Sequence, residues 1–485
     1  MTAALMFQGT GSDVGKTVLV AGLCRLMANR GLTTRPFKPQ NMSNNAAVAD
    51  DGGEIGRAQW LQALACRVPS SVHMNPVLLK PQTETGSQIV VQGKVWGRAA
   101  GRDYQKYKPD LMNAVMESYT RMAREADIVL IEGAGSPAEI NLRSGDIANM
   151  GFARQANVPV VIVADIDRGG VIASLVGTHA VLDPVDRAMV SGYLINKFRG
   201  DVDLFAEGTS AIGRFTGWPS FGIVPWLAAA GRLPAEDSVA LERLARNENG
   251  GLRIAVPMVS RIANFDDFDA LKAEPDVDMI FVRPGERIPA DAALVILPGS
   301  KSTIADLADL RACGWDKDLA AHHARGGRII GICGGFQMLG RRISDPKKIE
   351  GSVPEIEGLG LLDIQTELAA EKTVRNVVAQ TIKGKLPLEG YEIHLGVTHG
   401  PDCARPFSTI NGHADGAVSA DGQVMGTYLH RVFDSDAYRS SLLGEFGIGG
   451  GDANYRAQVE ESLDKIAEEL GRYLDIEAML KIARA

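Results

Sequence analysis

The chain has 485 residues, with 51 Lys plus Arg against 59 Asp plus Glu, a formal charge of −8, and 45% hydrophobic and 23% charged residues. At roughly 150 residues per domain this length suggests about three domains, enough to bury cores without disulfides, and the composition is that of a soluble globular protein. The acidic balance argues against a nucleic-acid or anionic-membrane partner, both of which prefer a basic surface, while a local basic pocket on an acidic body can still hold an anionic small molecule.

The opening MTAALMFQGTG has neither a basic start nor a long apolar run, so it does not read as a secretory signal. No stretch approaches the ~20 apolar residues of a membrane span. Cys24, Cys66, Cys313, Cys333 and Cys403 contain no CxxC pair, which argues against a disulfide framework, a zinc site or a redox dithiol. A cytoplasmic protein of a reducing compartment is expected.

In the first half, short β-rich runs alternate with helical patterns, the signature of a parallel sheet flanked by helices. Strands are expected at Leu5–Gln8, Thr33–Phe37, Ile128–Glu132, Pro159–Ala164, Met189–Ile195 and Ser220–Ile223, with helices at Val18–Ala28, Ile55–Cys66 and Ile147–Gln155. The apolar continuity of VPVVIVA fits a strand buried on both faces. A break follows at 228–251, where Gly, Pro and charge mix and ENGG reads as a turn. The expected division is therefore a first domain at 1–235, a linker at 236–250, a second domain at 251–440 and a helical tail at 441–485.

The second β/α series has strands expected at Arg253–Pro257, Met279–Val282, Ala293–Leu297 and Arg328–Ile332, then shorter strands and turns from Gly384 to Leu429. In the tail, Tyr455, Val459, Leu463, Ile466, Leu470 and Leu474 recur every three or four residues, one apolar helical stripe. The repeat is too short to favour a coiled coil, so the helix is expected to pack on its own body.

Residues 9–17 read GTGSDVGKT, directly after the first strand and before a helix. Free backbone N–H groups of such a turn cradle phosphates, and the helix N-terminus adds positive potential. Gly11, Gly15 and Lys16 are the candidate nucleotide contacts, and Thr17 offers its hydroxyl to Mg²⁺. The spacing departs from GxxxxGK[ST], since Thr10 stands where the pattern has Gly, but the strand-loop-helix context supports the motif. Acids just past strand ends lie where open α/β sheets bind ligands. Glu132 is the candidate for Mg²⁺, Asp165 and Asp167 follow the next strand, and Lys38 is placed to neutralise a transferring phosphoryl group.

Residues 328–336 read RIIGICGGF, a strand, a Cys between glycines, then a helical pattern. This is the nucleophile-elbow arrangement, with Cys333 as nucleophile, a helix N-terminus favouring its thiolate, and His430 of GTYLH as the base. GICGGFQMLG resembles the nucleophile segment of class I glutamine amidotransferase domains, and LPGSKST at 297–303 resembles the loop supplying an oxyanion-hole N–H. The resemblance implies Gly299 or Ser300, with Gly334, as backbone donors. The usual Glu two residues after the His is absent, since the chain reads His430-Arg431-Val432, a departure shared with the cobyrinate amidases; what orients His430 stays open.

The N-terminal half resembles dethiobiotin synthetase-like ATPases. KPQNMSNNA at 38–46, GGEIGRAQ at 52–59, NPVLLKPQTETGSQIVVQGK at 75–94, ADIDRGGV at 164–171, NKFRGD at 196–201 and YEIHLG at 391–396 together resemble the cobyric acid synthase family over nearly the whole chain. The resemblance implies a P-loop NTPase-like α/β domain, a class I glutamine amidotransferase domain and a helical tail. It implies ATP, Mg²⁺ and glutamine-dependent amidation of the b, d, e and g carboxylates of adenosylcobyrinic acid a,c-diamide through acyl phosphates. By the same resemblance Asn196 reads the adenine, Lys38 lies near the reacting phosphate, and Thr17 and Glu132 take the Mg²⁺ positions. His394 is distinctive but has no assigned role, and Arg57, Lys80 and Arg168 are candidates for gripping the corrin ring. Self-association is left open. The alternatives are cobyrinic acid a,c-diamide synthase, a partitioning-type ATPase with a degenerate glutaminase, and a non-catalytic corrinoid-binding protein. Intact Cys333 and His430, and the absence of an extra lysine inside GTGSDVG, argue against the last two.

Overall fold

The computed structural model describes residues 2–81, 86–234, 251–449 and 454–485, so the expected linker at 236–250 lies outside the described residues. The chain forms two compact units, Met1–Ser43 with Ala49–Leu233 and Gln458–Ala485, and Asn44–Val48 with Pro234–Ala457. Among the described residues no helix is long and apolar enough to cross a membrane.

The first unit is built on a six-stranded parallel sheet in the order Ser220–Pro225, Val190–Phe198, Val160–Asp165, Ala3–Gly9, Ile128–Glu132, Thr34–Phe37. Its two central strands, Ala3–Gly9 and Val160–Asp165, are buried at every position. That requires apolar side chains on both faces and explains why they read as unbroken apolar runs. Helices Lys16–Asn29, Arg57–Ala65 and Met150–Ala156 occupy the expected places with shifted ends. A four-stranded sheet of Gln40–Met42, Val77–Pro81, Gly86–Val91 and Lys94–Ala100, followed by helix Gly101–Arg124, is not among the expected elements. The helix carries Pro109 in its interior, a residue that argues against an uninterrupted helix when read by itself.

Helix Tyr455–Tyr473 and its successor Ile476–Ala483 close the chain. From Gln458 onward the chain groups with the first unit. A Cβ on Gly22 would lie 2.5 Å from Ile466 Cγ2 and 2.6 Å from Leu470 Cδ1, so glycine lets helix Lys16–Asn29 and helix Tyr455–Tyr473 approach closely. Beside it the buried guanidinium of Arg25 donates to Glu460 and, at 3.4 Å, to Asp464. An uncompensated charge there would be costly, and both partners come from the tail. The tail is thus part of the body on which it packs.

The second unit has its own six-stranded sheet, Val277–Val282, Leu252–Pro257, Leu294–Leu297, Arg328–Ile332, Val424–Thr427, Ala417–Val418, parallel except for the last pair. A separate sheet is dominated by the antiparallel pair Gln365–Thr381 and Pro387–His399. The short strands expected from Gly384 begin only at Ser408–Ile410; Pro387–His399 is 13 residues long. Gly390, inside this strand, is a close-approach position, because a Cβ there would lie 2.0 Å from the His430 carbonyl oxygen.

Candidate active sites

In the first unit the GTGSDVGKT turn follows the central strand Ala3–Gly9, and its neighbours past the carboxyl ends of adjacent strands converge on it. Gly15 has φ 90°, and a Cβ there would strike Asn196 Nδ2 at 2.4 Å, so only glycine suits the position. Asn196 Nδ2 donates to the Val14 carbonyl at 2.8 Å and braces the turn from strand Val190–Phe198, one strand beyond Val160–Asp165. Lys16 Nζ reaches the Gly11 and Gly135 carbonyls at 3.3 and 3.2 Å. One oxygen of the buried Glu132, Oε1, accepts from the Thr17 hydroxyl and from Lys38 Nζ, each at 2.8 Å. The other, Oε2, accepts from Gln62 Nε2 at 2.6 Å.

Lys16, Thr17, Lys38 and Glu132 are all buried. The Glu132 carboxylate and the Thr17 hydroxyl, side by side, are the hard oxygen donors a Mg²⁺ ion takes. Gln62 was not a sequence candidate. Nothing local marks it, because its partner is 70 residues away.

The remaining candidates have partners of their own, and Arg168 directly and Asp165 through Lys197 are tied to Asp13 of the phosphate turn. Asp165 pairs with Lys197 at 2.8 Å, and Asp167 with Arg199, which holds the exposed Asp167 carboxyl below its usual range. These acids brace the loops that follow their strands. Arg168 pairs with Asp13 at 3.0 Å, buried Lys80 with buried Glu54 at 2.7 Å, and Arg57 lies over the Trp60 ring at 4.1 Å.

In the second unit Cys333 sits between strand Arg328–Ile332 and helix Gly334–Leu339 with φ 51° and ψ −107°. A non-glycine residue held there stores about 1–3 kcal/mol of strain. The surroundings enforce it: a Cβ on Gly335 would lie 2.2 Å from the Leu297 carbonyl oxygen. The thiol donates to the Ile393 carbonyl at 3.5 Å.

His430 Nδ1 lies 2.7 Å from Asp267 Oδ2, and Asp267 Oδ1 accepts the Arg431 N–H at 2.7 Å. Burial favours the neutral imidazole, but the Asp267 charge, the Cys333 charge and hydrogen bonds to both outweigh it and push His430 up to about 10. Asp267 therefore answers what orients His430, at a position 163 residues upstream rather than two downstream. It stands in NFDDFD at 264–269, where three acids follow the first strand of this unit and no local pattern selects one.

The loop at 297–303 faces the elbow. Ile262 pairs with Ser300 and Ala263 with Gly299, and Lys301 N–H donates to the Arg261 carbonyl at 3.0 Å. Antiparallel residues alternate between bonding the partner strand and facing away, so Gly299 is committed to the ladder and Ser300 N–H points off it. A Cβ on Gly334 would come 2.8 Å from Ser300 N. The Ser300 hydroxyl donates to Asp306 at 2.6 Å, and Arg261 N–H binds the same carboxyl at 3.1 Å. Burial pushes Asp306 up to about 6 against these bonds. His394 stacks on Tyr428, ring centroids 3.8 Å apart, beside Ile393.

Cys333, His430, Asp267 and Ser300 all lie on segments past four successive parallel strands, the edge where α/β sheets collect ligands. Residues 253–438 match the CobB/CobQ-like glutamine amidotransferase domain, and residues 5–240 match the CobQ/CobB/MinD/ParA nucleotide binding domain. The molecule is thus a nucleotide-binding domain joined to a glutamine amidotransferase domain in one chain. Cobyric acid synthase of Rhizobium rhizogenes is 71% identical over 475 residues, 98% of each chain. That of Rhizobium johnstonii is 70% identical, covering 98% of this chain and 97% of its own. The chain belongs to the cobyric acid synthase family.

Proposed function

We propose that the protein is a glutamine-hydrolysing carbon–nitrogen ligase that converts adenosylcobyrinic acid a,c-diamide to adenosylcobyric acid by amidating the b, d, e and g carboxylates. What supports this reading is the buried His430–Asp267 pair together with the Cys333 elbow, in a chain that also holds a phosphate loop and is about 70% identical to cobyric acid synthases along 98% of its length.

In the glutaminase, Cys333 Sγ attacks the glutamine carboxamide carbon, and the Ser300 and Gly334 N–H groups hold the oxyanion. His430 gives its proton to the departing ammonia, then accepts one from the water that cleaves the thioester to glutamate. In the synthetase, Lys16 and Lys38 neutralise the phosphoryl group passing from ATP to a substrate carboxylate. Thr17 and Glu132 would hold Mg²⁺, which supplies further charge neutralisation on the phosphates. Ammonia adds to the acyl phosphate carbon, and phosphate leaves with the C–O bond electrons. Gln62 keeps the Glu132 carboxylate aimed, and Asn196 the turn. Mass spectrometry of the product made from the a,c-diamide with ATP, Mg²⁺ and glutamine tests this: four OH-to-NH₂ exchanges are expected. No exchange, or amidation only of cobyrinic acid at a and c, would overturn it.

Asp267→Asn is expected to lower glutamine-dependent turnover about 10²–10⁴-fold while sparing ammonia-dependent amidation. Loss of the anion also lets His430 give up its proton sooner, so the alkaline limb of the glutamine profile moves to lower pH. The stability His430 contributes is complete below its ordinary 6.5 and is lost as pH rises through about 10; the variant forfeits it. Initial rates with each nitrogen source across pH check both statements, and an unshifted profile would remove Asp267 from the relay.

A further inference from the structure

Lys108 lies on helix Gly101–Arg124 with only 8% of its surface exposed. Taking an ammonium out of water is costly unless a counter-charge or hydrogen-bond acceptors replace its hydration. Among the described residues no hydrogen bond or ion pair meets it. The exposed Lys106 of the same helix has Asp103 at 2.7 Å. Lys108 has instead the face of the Tyr104 ring, 5.8 Å from Nζ to the centroid. The field of Asp146 reaches it, but that carboxylate is already occupied. Its Oδ1 accepts the Ala148 and Asn149 N–H groups at 2.8 and 3.0 Å, and its Oδ2 that of Gly151 at 2.9 Å. Burial outweighs the attraction and pushes the Lys108 ammonium below its usual range.

Two segments bracket this lysine, and both lead out of the phosphate site. Tyr104 donates its hydroxyl to Gln40 Oε1 at 2.6 Å, on the strand that begins just past Lys38. A Cβ on Gly145 would lie 3.4 Å from Lys108 Cδ, in the loop that follows Glu132 and offers the Gly135 carbonyl to Lys16. Gln40 and Gly145 thus follow strands Thr34–Phe37 and Ile128–Glu132, which lie on one side of the central strand Ala3–Gly9. Asn196 and strand Val190–Phe198 lie across it. The turn, Lys16 and Thr17 serve the nucleotide's phosphates, which leaves a cation on the Lys38 side for the phosphoryl acceptor, a carboxylate.

We propose that Lys108 is a substrate-binding residue whose ammonium takes a side-chain carboxylate of the corrinoid, an assignment that rests on the proposed amidation of a polycarboxylate. The incoming carboxylate supplies the counter-charge that the free protein withholds. A site that recognises charge accepts each carboxylate in turn, and it releases the product because a carboxamide is neutral. The unpaired lysine therefore favours unreacted acid over finished amide.

Lys108→Met keeps the length of the side chain and removes its charge. In the full-length protein, initial rates of amidation are measured against the a,c-diamide and against ATP, with Mg²⁺ and saturating ammonium chloride, alongside thermal unfolding without substrate. KM for the a,c-diamide is expected to rise about 10–100-fold, the scale of one hydrogen bond to a charged group, with KM for ATP unchanged. Lys108→Arg, which keeps the charge, is expected to lie closer to the parent. The unfolding transition of Lys108→Met is expected at or above the parent's, because an unpaired buried charge has gone. A lysine that served only the fold would instead lower the transition and leave KM alone. A parental KM for the a,c-diamide, or an equal rise in KM for ATP, overturns the assignment. Should Lys108→Met fail to fold, Lys108→Gln decides by the same two constants. A parent that amidates nothing overturns the proposed function instead.

Discussion

Cys333→Ala is expected to abolish amidation with glutamine, by about 10⁴–10⁶-fold, while amidation at high ammonium continues near the parental rate. The size follows from the chemistry. His430, held charged by Asp267 at 2.7 Å, has no nucleophile left to serve, and neither the oxyanion donors nor the base can attack a carboxamide. The ligase needs only ammonia, which free ammonium supplies by mass action. Replacement by alanine also leaves the positive φ at 333 in place, so the fold bears no new strain. Parallel assays with each nitrogen source, on protein whose unfolding transition matches the parent, measure this. Loss of both activities would contradict two separate sites.

Lys16→Ala is expected to remove amidation with either nitrogen source, by about 10³-fold or more, the scale of losing one phosphate-neutralising cation in phosphoryl transfer. Lys16 Nζ is held by the Gly11 and Gly135 carbonyls, 3.3 and 3.2 Å away, so its charge is fixed over the turn before any nucleotide arrives. Unstimulated glutamine hydrolysis, which depends on Cys333, should persist. Product formation with ammonia and ATP is the deciding assay; synthesis at the parental rate would sink the assignment of the phosphate loop.

Local chemistry made much of this legible. A turn that must bare its N–H groups needs glycines at close spacing, and GTGSDVGKT shows them. A cysteine on an elbow needs small neighbours, and GICGG shows those. Buried parallel strands need apolar residues on both faces, which placed the two central strands of the first unit to within a residue or two. The tail's apolar stripe likewise announced a packed helix, though not that Arg25 would find its carboxylates there.

Other features depend on residues brought together across long sequence separations. The inserted four-stranded sheet and helix Gly101–Arg124 are held together by tertiary packing, the helix despite the Pro109 in its interior. Gln62 meets Glu132 and Arg261 meets Asp306 only after strands and helices are assembled. The commitment of Gly299 to its ladder, which leaves Ser300 as the free donor, is a matter of register, and register is settled by which faces are buried.

By itself, then, the sequence determined the two chemistries of this protein, because a phosphate cradle and a nucleophile elbow are each written in consecutive residues. Only the tertiary structure decided that Asp267 orients His430 and that Ser300 faces the elbow. The physical reason is that an orienting carboxylate needs proximity to its imidazole and not proximity in sequence. Any acid at the carboxyl edge of the same sheet that reaches the imidazole can serve, and the fold selects which.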